Sequence, residues 1–149
     1  NKMIRKITPS DKELYLKLTD EFYKSDAVMH RIDSENFELT WQELMRSGDY
    51  TECFIIEKDG ETAGYMLLAY TFSQEAGGKT AWIEEIFILP QFRSKGLGKE
   101  AFAFIKNNIE PQCARLRLEV EEDNVKAKKL YASLGFEMLE YRQMIKELK

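Results

Sequence analysis

The sequence predicts an α+β fold. A mixed, mostly antiparallel sheet of six to seven strands is flanked by about four helices and holds one parallel strand–helix–strand crossover. Three observations carry this. Apolar, β-prone runs are joined by Asp59-Gly60 and Gly77-Gly78, which read as hairpin turns. From Trp82 a strand-like run passes through Pro90 into the turn Arg93-Ser94-Lys95-Gly96-Leu97-Gly98 and then into a helical pattern. Arg115 to Val120 then alternates as another strand, so strand, helix and strand imply parallel pairing of 83–89 with 115–120.

Met3 to Ile7 alternates apolar and basic residues, as a first strand does. Thr8-Pro9-Ser10-Asp11 opens a helix with a hydroxyl cap, a proline in the first turn and an acid facing the helix dipole. Leu14, Leu18 and Phe22 form its stripe, which runs to about Tyr23. Residues 27–33 read as a loop with His30 at the surface. Ser34 opens a second helix through Phe37, Trp41 and Leu44, ended by Gly48. Cys53 to Lys58 and Thr62 to Phe72 are the arms of the first hairpin, and Gly77-Gly78 returns the chain into a strand starting near Ala81. Pro90 stops that strand, because proline has no N–H for the ladder. Leu97, Ala101, Phe104, Ile105 and Ile109 line one face of the next helix, which Pro111 breaks. Asn124 to Leu134 is helical, with Ala127, Leu130, Tyr131 and Leu134 on one face and Gly135 as its C-terminal cap. Phe136 to Leu139 and Tyr141 to Leu148 are expected to close the sheet as an antiparallel pair.

At 149 residues, 44% apolar and 32% charged, the chain reads as one domain, 1–149, with a real core. Its net charge of −4 argues against a nucleic-acid partner. No apolar run approaches the ~20 residues that span a bilayer, and no signal-peptide pattern leads the chain, so no membrane partner and a cytoplasmic location are expected. Cys53 and Cys113 are expected on separate strands as reduced thiols without metal-like spacing. With one histidine there is little to build a Ser-His-Asp triad or a multi-histidine metal site, and no metal is expected.

The turn at 93–98 is where chemistry enters. A strand that ends in a cationic glycine turn and starts a helix aims backbone N–H groups and a helix N-terminus at an anion, most simply a phosphate. Side chains at the two glycines would keep that ligand off the backbone. Gly96-Leu97-Gly98-Lys99-Glu100-Ala101 also fits the fingerprint of dinucleotide-binding folds, with Glu119 near the expected ~20 residues downstream. Context opposes that reading: three antiparallel strands precede the turn, one crossover follows it, and Arg93, Lys95 and Lys99 flank it. Glu119 then reads as a strand residue.

Arg93-x-x-Gly96-x-Gly98 and, past the parallel strand, Asn124-x-x-Ala127-x-x-Leu130-Tyr131-x-x-x-Gly135-Phe136 together resemble the GNAT (Gcn5-related N-acetyltransferase) family. The resemblance covers Tyr65 to Phe136 well, and Phe92 stands where the family commonly has tyrosine. It implies an acetyl-CoA-dependent N-acetyltransferase in which an amine attacks the CoA thioester directly, with acetyl-CoA as co-substrate. The turn Arg93, Ser94, Lys95, Gly96, Leu97, Gly98 and Lys99 matches the pyrophosphate loop. The side chains of Arg93 and Lys95 either reach phosphate oxygens or stay solvated. Ile86, Phe87 and Ile88 are implied to pair their main chain with the pantetheine arm. Asn124 and Ala127 are implied to contact the cofactor, with Asn124 also an N-cap, and Tyr131 is implied to be the general acid for the CoA sulfur.

Glu84 and Glu85 lie inside an apolar strand, where acids are costly unless used or exposed. Alternation sends them to opposite faces. An acceptor amine arrives protonated, and a carboxylate can bind it and take its proton. The resemblance favours Glu84 over Glu85 as that catalytic acid. The acceptor is expected to be a small cationic amine, while a peptide N-terminus, a lysine side chain and a homodimeric assembly stay open. An acyl-CoA-binding regulatory module without turnover is the alternative from a different class.

Overall fold

The computed structural model describes residues 1–26, 28 and 30–149. Ala27 and Met29, within the expected loop 27–33, lie outside the described residues. The chain forms two compact units, Asn1–Leu118 and Glu119–Lys149.

In the first unit β1 (Lys2–Lys6), α1 (Lys12–Tyr23), α2 (Glu35–Arg46), β2 (Thr51–Lys58), β3 (Glu61–Ser73), β4 (Gly78–Ile88), α3 (Leu97–Asn108) and β5 (Arg115–Arg117) follow one another. Among the described residues the sheet has five strands in the order β1-β2-β3-β4-β5, antiparallel except for the parallel pair β4–β5. The mixed, mostly antiparallel sheet, its hairpins and its crossover are as expected, while the strand number falls short of six to seven.

Cross-strand partners share a face, so the register assigns the two sides of the sheet. Cys53, Ile55, Tyr65, Leu67 and Phe87 pack with Tyr15, Leu18, Trp41 and Leu44 of α1 and α2. On the other side the Phe54 ring meets Phe104 of α3 at 4.9 Å. Leu97, Ala101 and Ile105 bury that helix, and Ile109 follows them. Fully burying one such side chain is worth about 1.5–3 kcal/mol, so both faces are well fastened.

The lead into α1 is fixed by Asp11. Its carboxylate accepts from the Thr8 N–H at 2.8 Å and from Arg5 at 2.8 and 3.0 Å. The Arg5 guanidinium holds the Asp11 carboxyl well down, to about 2.

The parallel pairing differs from expectation. Arg115, Leu116 and Arg117 oppose Thr80, Ala81 and Trp82 rather than residues 83–89. The cause is a β-bulge: Leu67 opposes Glu85 and Leu68 opposes Ile83, which leaves Glu84 as the extra residue. A bulge bends its strand, and the pairing of β4 with β5 stops at Trp82, over whose ring the Arg117 guanidinium sits at 4.3 Å. Among the described residues no strand pairs with 83–88 on that edge. Cys113 sits just before β5 rather than on a strand, and both cysteines are free thiols.

The second unit contains α4 (Val125–Ser133). Asn124 caps it, its Oδ1 accepting from the Ala127 N–H at 3.1 Å. Gly135 ends it at φ +95, with the Phe136 N–H returning to the Tyr131 carbonyl at 3.0 Å. The expected strands 136–139 and 141–148 do not form. They would leave Glu140 alone as the connection, shorter than the two-residue loop a tight hairpin needs. Glu119 lies outside β5 as well and accepts from Gln143 Nε2 at 3.0 Å. No helix among the described residues is long and apolar enough to cross a membrane.

Candidate active site

The turn between β4 and α3 has the backbone of an anion cradle. Ser94 lies at φ +62 and Gly96 at φ +80. Ser94 carries a side chain in a region most residues avoid, and left-handed residues alternating with ordinary ones make N–H groups converge. The first helical bond of α3 runs from the Glu100 N–H to the Gly96 carbonyl at 3.1 Å. The N–H groups of Leu97, Gly98 and Lys99 therefore precede the ladder, at the positive end of the helix dipole. Leu97 is buried and anchors the turn, whereas Arg93, Ser94, Lys95, Gly96, Gly98 and Lys99 are exposed. A Cβ added to Gly98 would meet nothing within 4 Å, so this side of the turn is open. These features fit the pyrophosphate of a CoA thioester, which needs bare backbone amides rather than one dominant side chain.

Two side chains at the turn have uses that the sequence did not suggest. Arg93 Nε donates to the Ile88 carbonyl at 3.0 Å and ties the turn to the end of β4. Lys2 reaches in from β1, its Nζ 3.9 Å from Glu100 Oε1.

Upstream of the turn, the bulge decides how the acids are presented. It shifts the alternation of β4, so Trp82 before it and Glu85 and Phe87 after it share the face toward α1 and α2. Ile86 and Ile88 are half-buried and Phe87 is buried. Glu84 is exposed on the bulge, whereas Glu85 is only 9% exposed. Tyr23 donates to Glu85 Oε2 and Tyr65 donates to Oε1, each at 2.5 Å, and Thr19 Oγ1 lies 3.4 Å from the Tyr65 hydroxyl. Burial pushes the Glu85 carboxyl above its ordinary range, and the two tyrosine bonds pull it back. Burial also raises the Tyr23 phenol, further lifted by its bond to Glu85 and by the charges of Glu85 and Glu84. The Tyr23 hydroxyl thus lies in the field of both acids. Neither Tyr23 nor Tyr65 stood out in the sequence.

In the second unit, Tyr131 is half-buried on α4 with its ring edge-on to Phe136 at 6.0 Å. Burial raises its phenol. Ala127 is half-buried, and Asn124 spends its side-chain oxygen on the cap. Among the described residues no cluster of His, Cys, Asp or Glu is placed to hold a metal ion.

Past its parallel pair with β5, β4 runs on with that edge unpaired among the described residues and leads into the nested glycine turn. The chain belongs to the acetyltransferase (GNAT) family, which matches residues 13–136. Among its relatives, an uncharacterized N-acetyltransferase of Bacillus subtilis, YhfO, is 32% identical over 84 residues, covering 56% of this chain and 56% of that protein. The chain thus spans little more than half of that relative. The mouse thialysine N-epsilon-acetyltransferase is 24% identical over 145 residues, 89% of this chain and 82% of that protein. In fold, the crystal structure of a possible acetyltransferase from Clostridium difficile superposes with a TM-score of 0.83 at 21% identity, covering 99% of this chain and 98% of that one.

Proposed function

We propose that the chain is an acetyl-CoA-dependent N-acetyltransferase acting on a small cationic amine. The observation that carries this is the nested turn 93–98 at the end of β4, beside a strand edge that β5 leaves unpaired from 83 to 88. The mouse relative, named for acetylating the ε-nitrogen of thialysine, points to the same acceptor chemistry.

Acetyl-CoA, when bound, supplies the acetyl thioester. The backbone N–H groups of 94–99 hold the pyrophosphate, with Arg93, Lys95 and Lys99 adding positive charge around it. The backbones of Ile86, Phe87 and Ile88 receive the pantetheine amides along the open edge, and a Phe87 or Ile88 N–H stabilises the charge that develops on the thioester oxygen. Glu84, exposed on the bulge, draws in the protonated amine and takes its proton, which frees the nitrogen lone pair to form the C–N bond. Tyr131 gives a proton to the sulfur as the C–S bond breaks. The family motif, rather than a distance, carries that role, as it does the cofactor contacts of Asn124 and Ala127.

The test is a panel of mono- and polyamines assayed for amine-dependent release of CoA from acetyl-CoA. The expected result is release that rises with cationic amines. Tight acetyl-CoA binding with no release for any amine would mark the chain as a binding module instead.

A further inference from the structure

Glu85 stands out as a buried acid that the proposed transfer does not use. Its two tyrosine partners give it hydrogen bonds of the stronger, charge-assisted kind. Burying a carboxylate without a cation still carries a desolvation cost. Among the described residues no lysine, arginine or histidine is paired with Glu85. Each carboxylate oxygen accepts one tyrosine and keeps a further lone pair. Here is a fixed anion with its bonding directions set and its counter-charge missing.

Tyr23 links that carboxylate to the end of α1. It is the last residue of α1 and is half-buried, with its ring packed on Phe22 at 5.1 Å and on Phe37 at 5.4 Å. Packing on both rings fixes where the hydroxyl points. That hydroxyl gives its proton to Glu85, so its oxygen is left as an electron-rich acceptor facing away from the carboxylate. The carboxyl end of α1 adds the negative pole of a helix dipole at the same place. The nearest basic side chain of that helix end, Lys24, is already paired with Asp20 at 2.7 Å.

We infer that Tyr23, backed by Glu85 and Tyr65, is a specificity-determining residue that binds a second, non-reacting ammonium of the acceptor. The inference rests on the reading of the acceptor as an amine. The nitrogen that attacks must first lose its proton to a base, and at Tyr23 none is offered directly, because the Glu85 oxygens already accept from two tyrosine hydroxyls. An ammonium held there stays protonated beside the carboxylate and is therefore not the one that is acetylated. Glu84, exposed one residue earlier in the strand, remains for the reacting nitrogen. The acceptor is on this view a diamine or polyamine rather than a monoamine.

The test compares 1,4-diaminobutane with 1-aminobutane as probes, by calorimetric binding to wild type, Tyr23→Phe and Glu85→Gln, with acetyl transfer to each amine measured in parallel. Wild type is expected to bind the diamine at least ~10-fold more tightly, a preference of about 1.4 kcal/mol. Both variants keep side-chain volume, and in each the preference should fall to within about twofold. If Glu85→Gln does not fold, Tyr23→Phe decides alone. Equal affinity of wild type for the two amines, or a preference kept in folded Tyr23→Phe, overturns the inference. A preference lost in the variants of a chain that acetylates neither amine sinks the acetyltransferase reading and leaves the ammonium site standing.

Discussion

Replacing Gly98 with alanine should push stability and ligand affinity in opposite directions. Gly98 is the second residue of α3, and a Cβ there meets nothing within 4 Å. Alanine then relieves the entropic cost of a helical glycine, worth about 0.5–1 kcal/mol, or a melting temperature higher by roughly 1–4 °C for a chain of this size. The same open space is where a pyrophosphate would lie against the backbone, so acetyl-CoA affinity should fall at least ~10-fold. At a ligand concentration of a hundred times the wild-type Kd, linkage stabilises wild type by about 2.7 kcal/mol and a tenfold weaker variant by about 1.4 kcal/mol. Thermal melts with and without acetyl-CoA read both effects: the apo variant melts higher, and its ligand-induced rise is about half that of wild type. A Kd within twofold of wild type in a stabilised Gly98→Ala would show that the phosphates bind elsewhere.

Three further outcomes are expected. Tyr131→Phe keeps the ring and loses a proton donor, so kcat and kcat/KM should fall together by roughly 10²–10⁴; turnover within twofold of wild type, with chemistry limiting, would leave Tyr131 a packing residue. Gly64→Ala should cost about 1–3 kcal/mol or more, because its Cβ would lie 2.0 Å from the Phe87 carbonyl oxygen and force β3 and β4 apart; an unchanged melting temperature would contradict that contact. The Asp11 carboxyl is held below its unfolded value, at about 2, so its contribution is complete above roughly pH 4 and is lost as pH falls toward 2. Urea unfolding between pH 7 and pH 2 should show the advantage of wild type over Asp11→Asn shrinking by about 2 kcal/mol, and parallel curves would speak against the Arg5–Asp11 pair.

Local signals made most of the fold legible. Asp59-Gly60 and Gly77-Gly78 mark real turns, with positive φ at Asp59, Gly60 and Gly77, and the Phe37, Trp41 and Leu44 stripe is buried as its spacing requires. The strands expected at 136–139 and 141–148 do not form, and Glu140 alone is too short a connection to join them as a hairpin. The bulge at Glu84 was invisible, since no glycine marks it and it shows only as a register shift against β3. The turn 93–98 was readable as a glycine turn between strand and helix because its signals are local in sequence. The bed of Glu85 was not, because Tyr23 lies 62 positions away and nothing in its own neighbourhood announces the contact.

The bulge makes β4 more sensitive to its length than to its composition. One supernumerary residue acts as a phase shifter, so the strand before it and the strand after it keep separate reading frames. Deleting a single residue between Ile83 and Glu85 would restore strict alternation and turn one half of the strand inside out, whichever half gave way. Either Glu85 and Phe87 would leave the α1–α2 side, or Thr80 and Trp82 would. Amino-acid exchanges at 84 leave that phase untouched. The fold therefore holds the residue count of this stretch rigid, whatever the chemistry asks of position 84, and in relatives that share this sheet, gaps should be scarce between 82 and 88.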